Sequence, residues 1–264
     1  MTSIRTPLAL LSVAVLGGTL YSVINHTYLD TSDPLVSNLP HPLHASSMFA
    51  RKTNVFNTVF IKKAWGWTSV AFAAVWLTSP PHARARAGVN KWLAATLVWG
   101  AFTAWFFGPA VLERLIVASG GECMLRLPPG QGPGLLAVPP QYCYSRSAVS
   151  PMTHPALFSG AGSLDAAWQG GMPRLYRGHD VSGHIFLLTL CVLFLHEQLA
   201  PAWRAGSASV VHGCAVAAAS GLLGLWVLMC FATSVYWHTP LEKMTGFGGC
   251  CLRRGTGQAE ADCG

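Results

Sequence analysis

The chain has 264 residues, 17 of them basic and 10 acidic, so charged side chains make up 10% of it against an apolar share of 52%. A soluble domain is about 25% charged and a disordered chain combines low hydrophobicity with high charge; the composition argues against both and leaves an integral membrane protein. The formal net charge of +7 is scattered rather than gathered on one face or run, which argues against nucleic acid as a partner and suits basic loops beside a bilayer.

A membrane-spanning helix needs about 20 mostly apolar residues, and the uncharged gaps predict five. The first, 7–24, lies between Arg5 and Asp30. It is long for a signal peptide and lacks a clear small-residue cleavage site, so it reads as a retained span. The second, 55–78, is apolar and aromatic but carries Lys62 and Lys63. The third, 92–117, follows Lys91 and is interrupted by Glu113 and Arg114. Residues 118–180 form a long loop with Pro128-Pro129, Pro139-Pro140 and many glycines; such a loop is either functional or poorly ordered. The fourth span, 181–199, has His184 near its start and His196-Glu197 near its end. The fifth, 208–237, is longer than a perpendicular crossing needs, so it tilts or lays its first turns in the interface. A polar tail is expected over 245–264. Backbone polar groups must be satisfied inside a bilayer, so the spans are helices. The predicted fold is all-α: one polytopic membrane helix bundle with five visible spans.

The short loop 79–90 carries Arg84 and Arg86, with Lys91 following, and the loop after the fourth span carries Arg204. The positive-inside rule makes both cytoplasmic. Loop 118–180, the starts of the second and fourth spans and the end of the fifth then share the opposite side, with Arg51 and Lys52 against the rule. Cys191, Cys214 and Cys230 lie in apolar stretches and read as small hydrophobes. Cys123 and Cys143 share the long loop and would pair if it faces an oxidising lumen. Cys250-Cys251 beside Arg253-Arg254 makes a weak palmitoylation pattern.

Ionisable groups at membrane depth are functional candidates by default. Three clusters stand out: 51–63, with Arg51, Lys52, Asn54, Asn57, Lys62 and Lys63; 178–184, with His179, Asp180, Ser182, Gly183 and His184; and 236–243, with His238 and Glu242. The predicted topology puts all three at one membrane face, with Lys62 about two turns deeper than Asn54 at about 1.5 Å per residue. Two histidines, a cation and amide donors suit phosphoryl transfer. One imidazole attacks phosphorus, the other protonates the leaving oxygen, and lysine with backbone N–H groups holds the oxyanions. Ser182-Gly183 at a helix start offers an anion the first N–H groups. Each element also has a plain structural reading: interfacial histidines and snorkelling lysines, or Asn54 as a helix cap. Their joint placement favours the site. His196 and His212 near the opposite face read as structural or interfacial, and His41, His44, His82 and His154 in loops receive no role.

At three stretches the sequence resembles the fat storage-inducing transmembrane family of the endoplasmic reticulum, in its fungal form: 54–68 (NVFNTVFIKKAWGWT), 178–189 (GHDVSGHIFLLT), and 226–229 (WVLM) with 236–238 (YWH). That family is similar to the lipid phosphate phosphatases, sharing a Ser-Gly-His element and a downstream histidine. The resemblance implies a fatty acyl-CoA diphosphatase. It would yield acyl 4′-phosphopantetheine and adenosine 3′,5′-bisphosphate on the lumenal side, and would support lipid droplet formation and phospholipid balance. It implies His184 as general acid and His238 as nucleophile. Lys62, Asn54, Ser182 and Gly183 would bind substrate and Asp180 and Glu242 would support, with no metal or cofactor needed. The related phosphatases carry an acidic residue four positions after the nucleophilic histidine and an arginine before it; Glu242 stands four after His238, and no arginine precedes it. The family has six spans where five are visible here. An alternative reading uses the same cavity to hold diacylglycerol or triacylglycerol without chemistry. Haem between paired histidines and secondary transport fit less well, the latter because no internal repeat is present.

Overall fold

The computed structural model describes residues 5–30, 39–103, 109–128, 134–160, 168–206 and 209–258, with backbone alone over 250–258. The Cys250-Cys251 pair thus lies outside the described side chains.

Helix α1 runs Arg5–Ile24, α2 Ala64–Thr78, α3 Arg86–Thr103, α4 Val111–Ala118, α5 Pro140–Ser145, α6 Gly183–Ala205, α7 Val210–Tyr236 and α8 Pro240–Gln258. Strands β1 Glu122–Arg126, β2 Leu135–Ala137 and β3 Arg174–Tyr176 form an antiparallel sheet in the order β2-β1-β3. Among the described residues, three helices, α1, α6 and α7, are long and apolar enough to cross a membrane.

Helix α6 is the axis of the bundle. It begins where Ser182 accepts a hydrogen bond from the Ile185 N–H, and stops at Gly206, whose φ of 75° leaves the helical region. Ile185, Phe186, Leu188, Cys191, Val192, Leu195 and Leu199 are all buried, because α1, α2, α3, α7 and α8 pack around them. Outward-facing apolar residues such as Val13, Leu20, Leu97 and Leu228 remain exposed, as expected of surfaces that meet lipid rather than water. Indole N–H groups join the helices internally. Trp226 of α7 donates to Thr68 of α2 at 3.1 Å, and Trp65 and Trp92 link α2 and α3 through Thr96 (3.2 Å) and Ser69 (2.9 Å). In an apolar medium such bonds hold helices together where the hydrophobic effect does not.

Several expectations change. The predicted span 55–78 is not one helix: a π turn over Phe56–Phe60 and a 3-10 turn over Ile61–Lys63 precede α2. The predicted span 92–117 is divided between α3 and α4, with 104–108 outside the described residues. The fourth and fifth spans appear as α6 and α7, with Ala208 outside the described residues. The all-α expectation needs a correction at 118–180, where the chain folds into the small sheet. The sheet has its own core of Leu125, Leu127, Val138, Val149 and Phe158 and a Cys123–Cys143 disulfide. The three central residues of β1, Cys123, Met124 and Leu125, are all buried, so no period-2 signal marks the strand in the sequence. The expected polar tail begins as helix, since α8 continues through 258; 259–264 lie outside the described residues.

Lys243 of α8 is completely buried. Its Nζ donates to Ser22 Oγ of α1 at 2.8 Å and sits 5.0 Å from the Tyr28 ring. Burial pushes its pKa down to about 8, against an opposing pull from Glu242. Between that value and the ordinary 10.5 the unfolded chain binds the proton and the folded chain has released it, so stability rises with pH across that window. The thermal midpoint of wild type in detergent should therefore climb between about pH 8 and 10.5 relative to Lys243→Met. Parallel pH profiles for the two proteins would contradict this.

Candidate active site

The connection between α6 and α7 is short, so the two helices run antiparallel and the start of α6 meets the end of α7. His184 is the second residue of α6. Helix α7 ends at Tyr236, Trp237 is extended, and His238 takes a left-handed φ of 63°, a conformation uncommon outside glycine. The chain then turns into α8 through a capping box. The Thr239 N–H donates to Glu242 Oε2 at 2.8 Å, and the Glu242 N–H returns to Thr239 Oγ1 at 3.5 Å. This is the Ser/Thr-x-x-Glu pattern with proline at the first helical position, legible in the sequence Thr239-Pro240-Leu241-Glu242.

The same Glu242 Oε2 lies 3.5 Å from His238 Nδ1. Burial opposes the charge on Glu242, but hydrogen bonds from His238 and Thr239 outweigh it and hold the carboxyl below its usual range. Asp180, just before α6, is shifted the other way: burial raises it and Glu242 adds to the rise, against the pull of His238 and His179. Two close approaches seat these pieces. A Cβ on Gly178 would lie 2.1 Å from the Ile116 carbonyl oxygen, and one on Gly246 would lie 2.7 Å from the Ser182 carbonyl oxygen. The Ser182 N–H also donates to the Glu242 carbonyl at 3.1 Å, so α8 is bound directly to the start of α6.

The third wall comes from the segment leading into α2. Asn54 Oδ1 accepts the Asn57 N–H at 2.8 Å and Asn54 Nδ2 donates to the Arg51 carbonyl at 2.5 Å. Asn57 Nδ2 donates to the Lys52 carbonyl at 2.7 Å, which leaves Asn57 Oδ1 buried and without a partner among the described residues. The π turn that follows is the kind of helix irregularity found at functional sites.

Together these segments enclose a cavity of about 260 Å³. His184, His238, Lys62, Asn54, Asn57 and Lys52 line it, with Phe49, Met229 and Trp237 among the apolar walls. Four of the residues expected from sequence, His184, His238, Lys62 and Asn54, thus meet at one cavity. Lys63 is not among its lining. Ser182 and Gly183 do not line it either. Ser182 is fully buried and its hydroxyl caps α6, so its contribution is to fix the helix start. Asp180 and Glu242 stand behind His238. Phe49 was not singled out from the sequence. Lys52 stood in the first ionisable cluster and Trp237 in a stretch that carries the resemblance, but neither was given a role at the site; the place of Lys52 on the wrong side of the positive-inside pattern was a further signal. Lys52 Nζ lies 5.6 Å from the Trp237 ring centroid, and burial lowers its pKa, with Arg174 adding to the effect.

The model of the fat storage-inducing transmembrane protein family matches residues 45–216 and 197–252. Acyl-coenzyme A diphosphatase fit1 of Schizosaccharomyces pombe is 32% identical over 208 residues, 76% of this chain and 69% of the relative. Acyl-coenzyme A diphosphatase FITM2 of Homo sapiens is 26% identical over 205 residues, covering 76% and 67%. Fat storage-inducing transmembrane protein 1 of Homo sapiens is 30% identical over 208 residues, covering 76% and 60%. No solved structure matches. With the family model spanning most of the chain, including all three walls of the cavity, this protein belongs to the fat storage-inducing transmembrane family.

Proposed function

We propose that this protein is a fatty acyl-CoA diphosphatase: a hydrolase that cuts the diphosphate of acyl-CoA into acyl 4′-phosphopantetheine and adenosine 3′,5′-bisphosphate. The observation that carries the reading is the convergence of His184, His238 and Lys62 on one cavity at one end of the bundle. The relatives named acyl-coenzyme A diphosphatases support the same activity.

His238 is the nucleophile. Glu242 at Nδ1 holds the proton there and leaves Nε2 bare, the arrangement that activates an imidazole through a third group. Nε2 bonds to phosphorus as the bridging P–O bond breaks, and His184 gives its proton to the departing phosphate oxygen. Water then attacks the phosphohistidine, with His184 taking the water's proton, so both phosphates leave as monoesters and both histidines are restored. Lys62 and the backbone N–H of His184, which has no carbonyl one turn behind it, hold the oxyanions. Asn57 Oδ1 accepts an N–H of the substrate, which offers two pantetheine amides and the adenine amine. A cavity of about 260 Å³ takes the diphosphate and its neighbours and leaves the acyl chain to the bilayer. The reaction as drawn needs no metal or cofactor.

The site faces the lumen of the endoplasmic reticulum in this reading. The disulfide-bearing sheet leads directly into α6 beside His184, and disulfides persist in oxidising compartments. The two arginine-bearing loops at the other end, with Arg84 and Arg204, suit the cytoplasmic side. The match to the fat storage-inducing transmembrane family supports a role in lipid droplet formation and phospholipid balance.

A second reading, non-catalytic holding of diacylglycerol or triacylglycerol, is favoured by one observation. A larger cavity of about 590 Å³ opens among α2, α3 and α6, walled by Phe72, Trp76, Pro80 and Ala202. It predicts no requirement for either site histidine.

Purified protein in detergent should release adenosine 3′,5′-bisphosphate from oleoyl-CoA, and His184→Ala or His238→Ala should each lower kcat by at least about 100-fold, the range of positioned proton transfer. Full activity in both variants would overturn the two-histidine mechanism, and an inert wild type would point to the lipid-holding reading. Glu242→Gln keeps the capping box, since glutamine serves at that position, and removes only the charge. It should lower kcat about tenfold or more with the thermal midpoint nearly unchanged. An unchanged kcat would remove Glu242 from the mechanism.

A further inference from the structure

The last turn of any helix leaves carbonyls without amide partners, and α7 ends in non-glycine residues at the point where His238 turns left-handed. Thr27, Leu29 and His41 supply the missing donors. Thr27 Oγ1 donates to the Val235 carbonyl at 2.8 Å, and the Leu29 N–H donates to the Tyr236 carbonyl at 3.0 Å. His41, 2% exposed, completes the set. Its Nε2 lies 3.0 Å from both the Thr27 and the Tyr236 carbonyl oxygens, and its Nδ1 lies 3.0 Å from the Leu43 nitrogen.

These partners define the proton positions. Carbonyl oxygens only accept, so Nε2 carries hydrogen and shares it between the two. The Leu43 N–H only donates, so Nδ1 is bare. The ring also meets Trp237 edge-on, with centroids 5.2 Å apart, and Tyr236 at 5.8 Å. Trp237 and His238 both line the cavity, and His41 does not.

We propose that His41 is a positioning residue for the reaction: in its neutral, Nε2-protonated form it clamps the end of α7 to the chain at Thr27 and so sets the backbone turn that aims His238. The proposal rests on the two-histidine reading of the site. Its effect is on the orientation of the nucleophile rather than on substrate contact, so it falls on kcat and leaves KM.

The test compares His41→Gln, whose amide N–H₂ can serve both carbonyls, with His41→Asn, which is one methylene shorter and ends near the Nδ1 position, and His41→Met, which has the length and no donor. The expected order of kcat for oleoyl-CoA is Gln, then Asn, then Met, with Gln within about threefold of wild type, Met down tenfold or more, and KM within twofold throughout. The Gln and Asn variants preserve the comparison if Met does not fold. A second readout is the rate at which diethyl pyrocarbonate modifies His238, followed by peptide mass spectrometry. It should change at least threefold in Met and return in Gln. Equal losses in Gln and Met, a change in KM alone, or unchanged His238 labelling in Met would overturn the proposal. If wild type does not hydrolyse acyl-CoA, the diphosphatase reading fails on its own and the labelling series still decides whether His41 positions His238.

Discussion

The antiparallel pairing of α6 and α7 is the constraint from which the site follows. With so little chain between them, the helices have to return along one another, and whatever opens α6 stands beside whatever closes α7. His184 and His238 are 54 residues apart in sequence and share one cavity for that reason. Helix α6 is buried along most of its length by five other helices, so its register is held by packing density rather than by loops.

The second requirement is to keep charged groups at this end of the bundle without losing them to the cost of burial. An unpaired buried charge is expensive, and the structure meets that cost by giving single groups two tasks. Glu242 caps α8 through Thr239 and faces His238 with the same oxygen. Its backbone carbonyl takes the Ser182 N–H, tying the residue that supports His238 to the helix that carries His184. Lys243, the next residue, points the opposite way and fastens α8 to α1 at Ser22. One turn of helix thereby joins three elements, and substitutions within it are expected to couple rather than add.

The composition made the membrane class legible, and the apolar runs located α1, α6 and α7 closely because uninterrupted helical spans have a strong one-dimensional signature. The span at 55–78 was harder. Its apolar content is right, but the π turn at Phe56–Phe60 changes the helix geometry without changing hydropathy, so no periodicity count reveals it. The small sheet was hidden for a different reason: β1, β2 and β3 are only three to five residues long, and β3 joins β1 from far along the chain, Arg174 pairing with Met124. Within the site, the motif residues His184, His238, Lys62 and Asn54 were recognisable. Ser182 carried a motif signal too, but its hydroxyl acts on its own helix. His41 had no signal, because a histidine that caps a distant helix end is defined only by the carbonyls it meets in three dimensions.

The central claim is that His238 carries the phosphoryl group while His184 moves the proton. The direct measurement is base-quenched mass spectrometry of enzyme mixed with acyl-CoA, locating any phosphohistidine by peptide. The account expects a base-stable phosphoryl adduct on His238, absent from His238→Ala and present when slow turnover is sampled in wild type. An adduct on His184, or hydrolysis at full rate in His238→Ala, would contradict it.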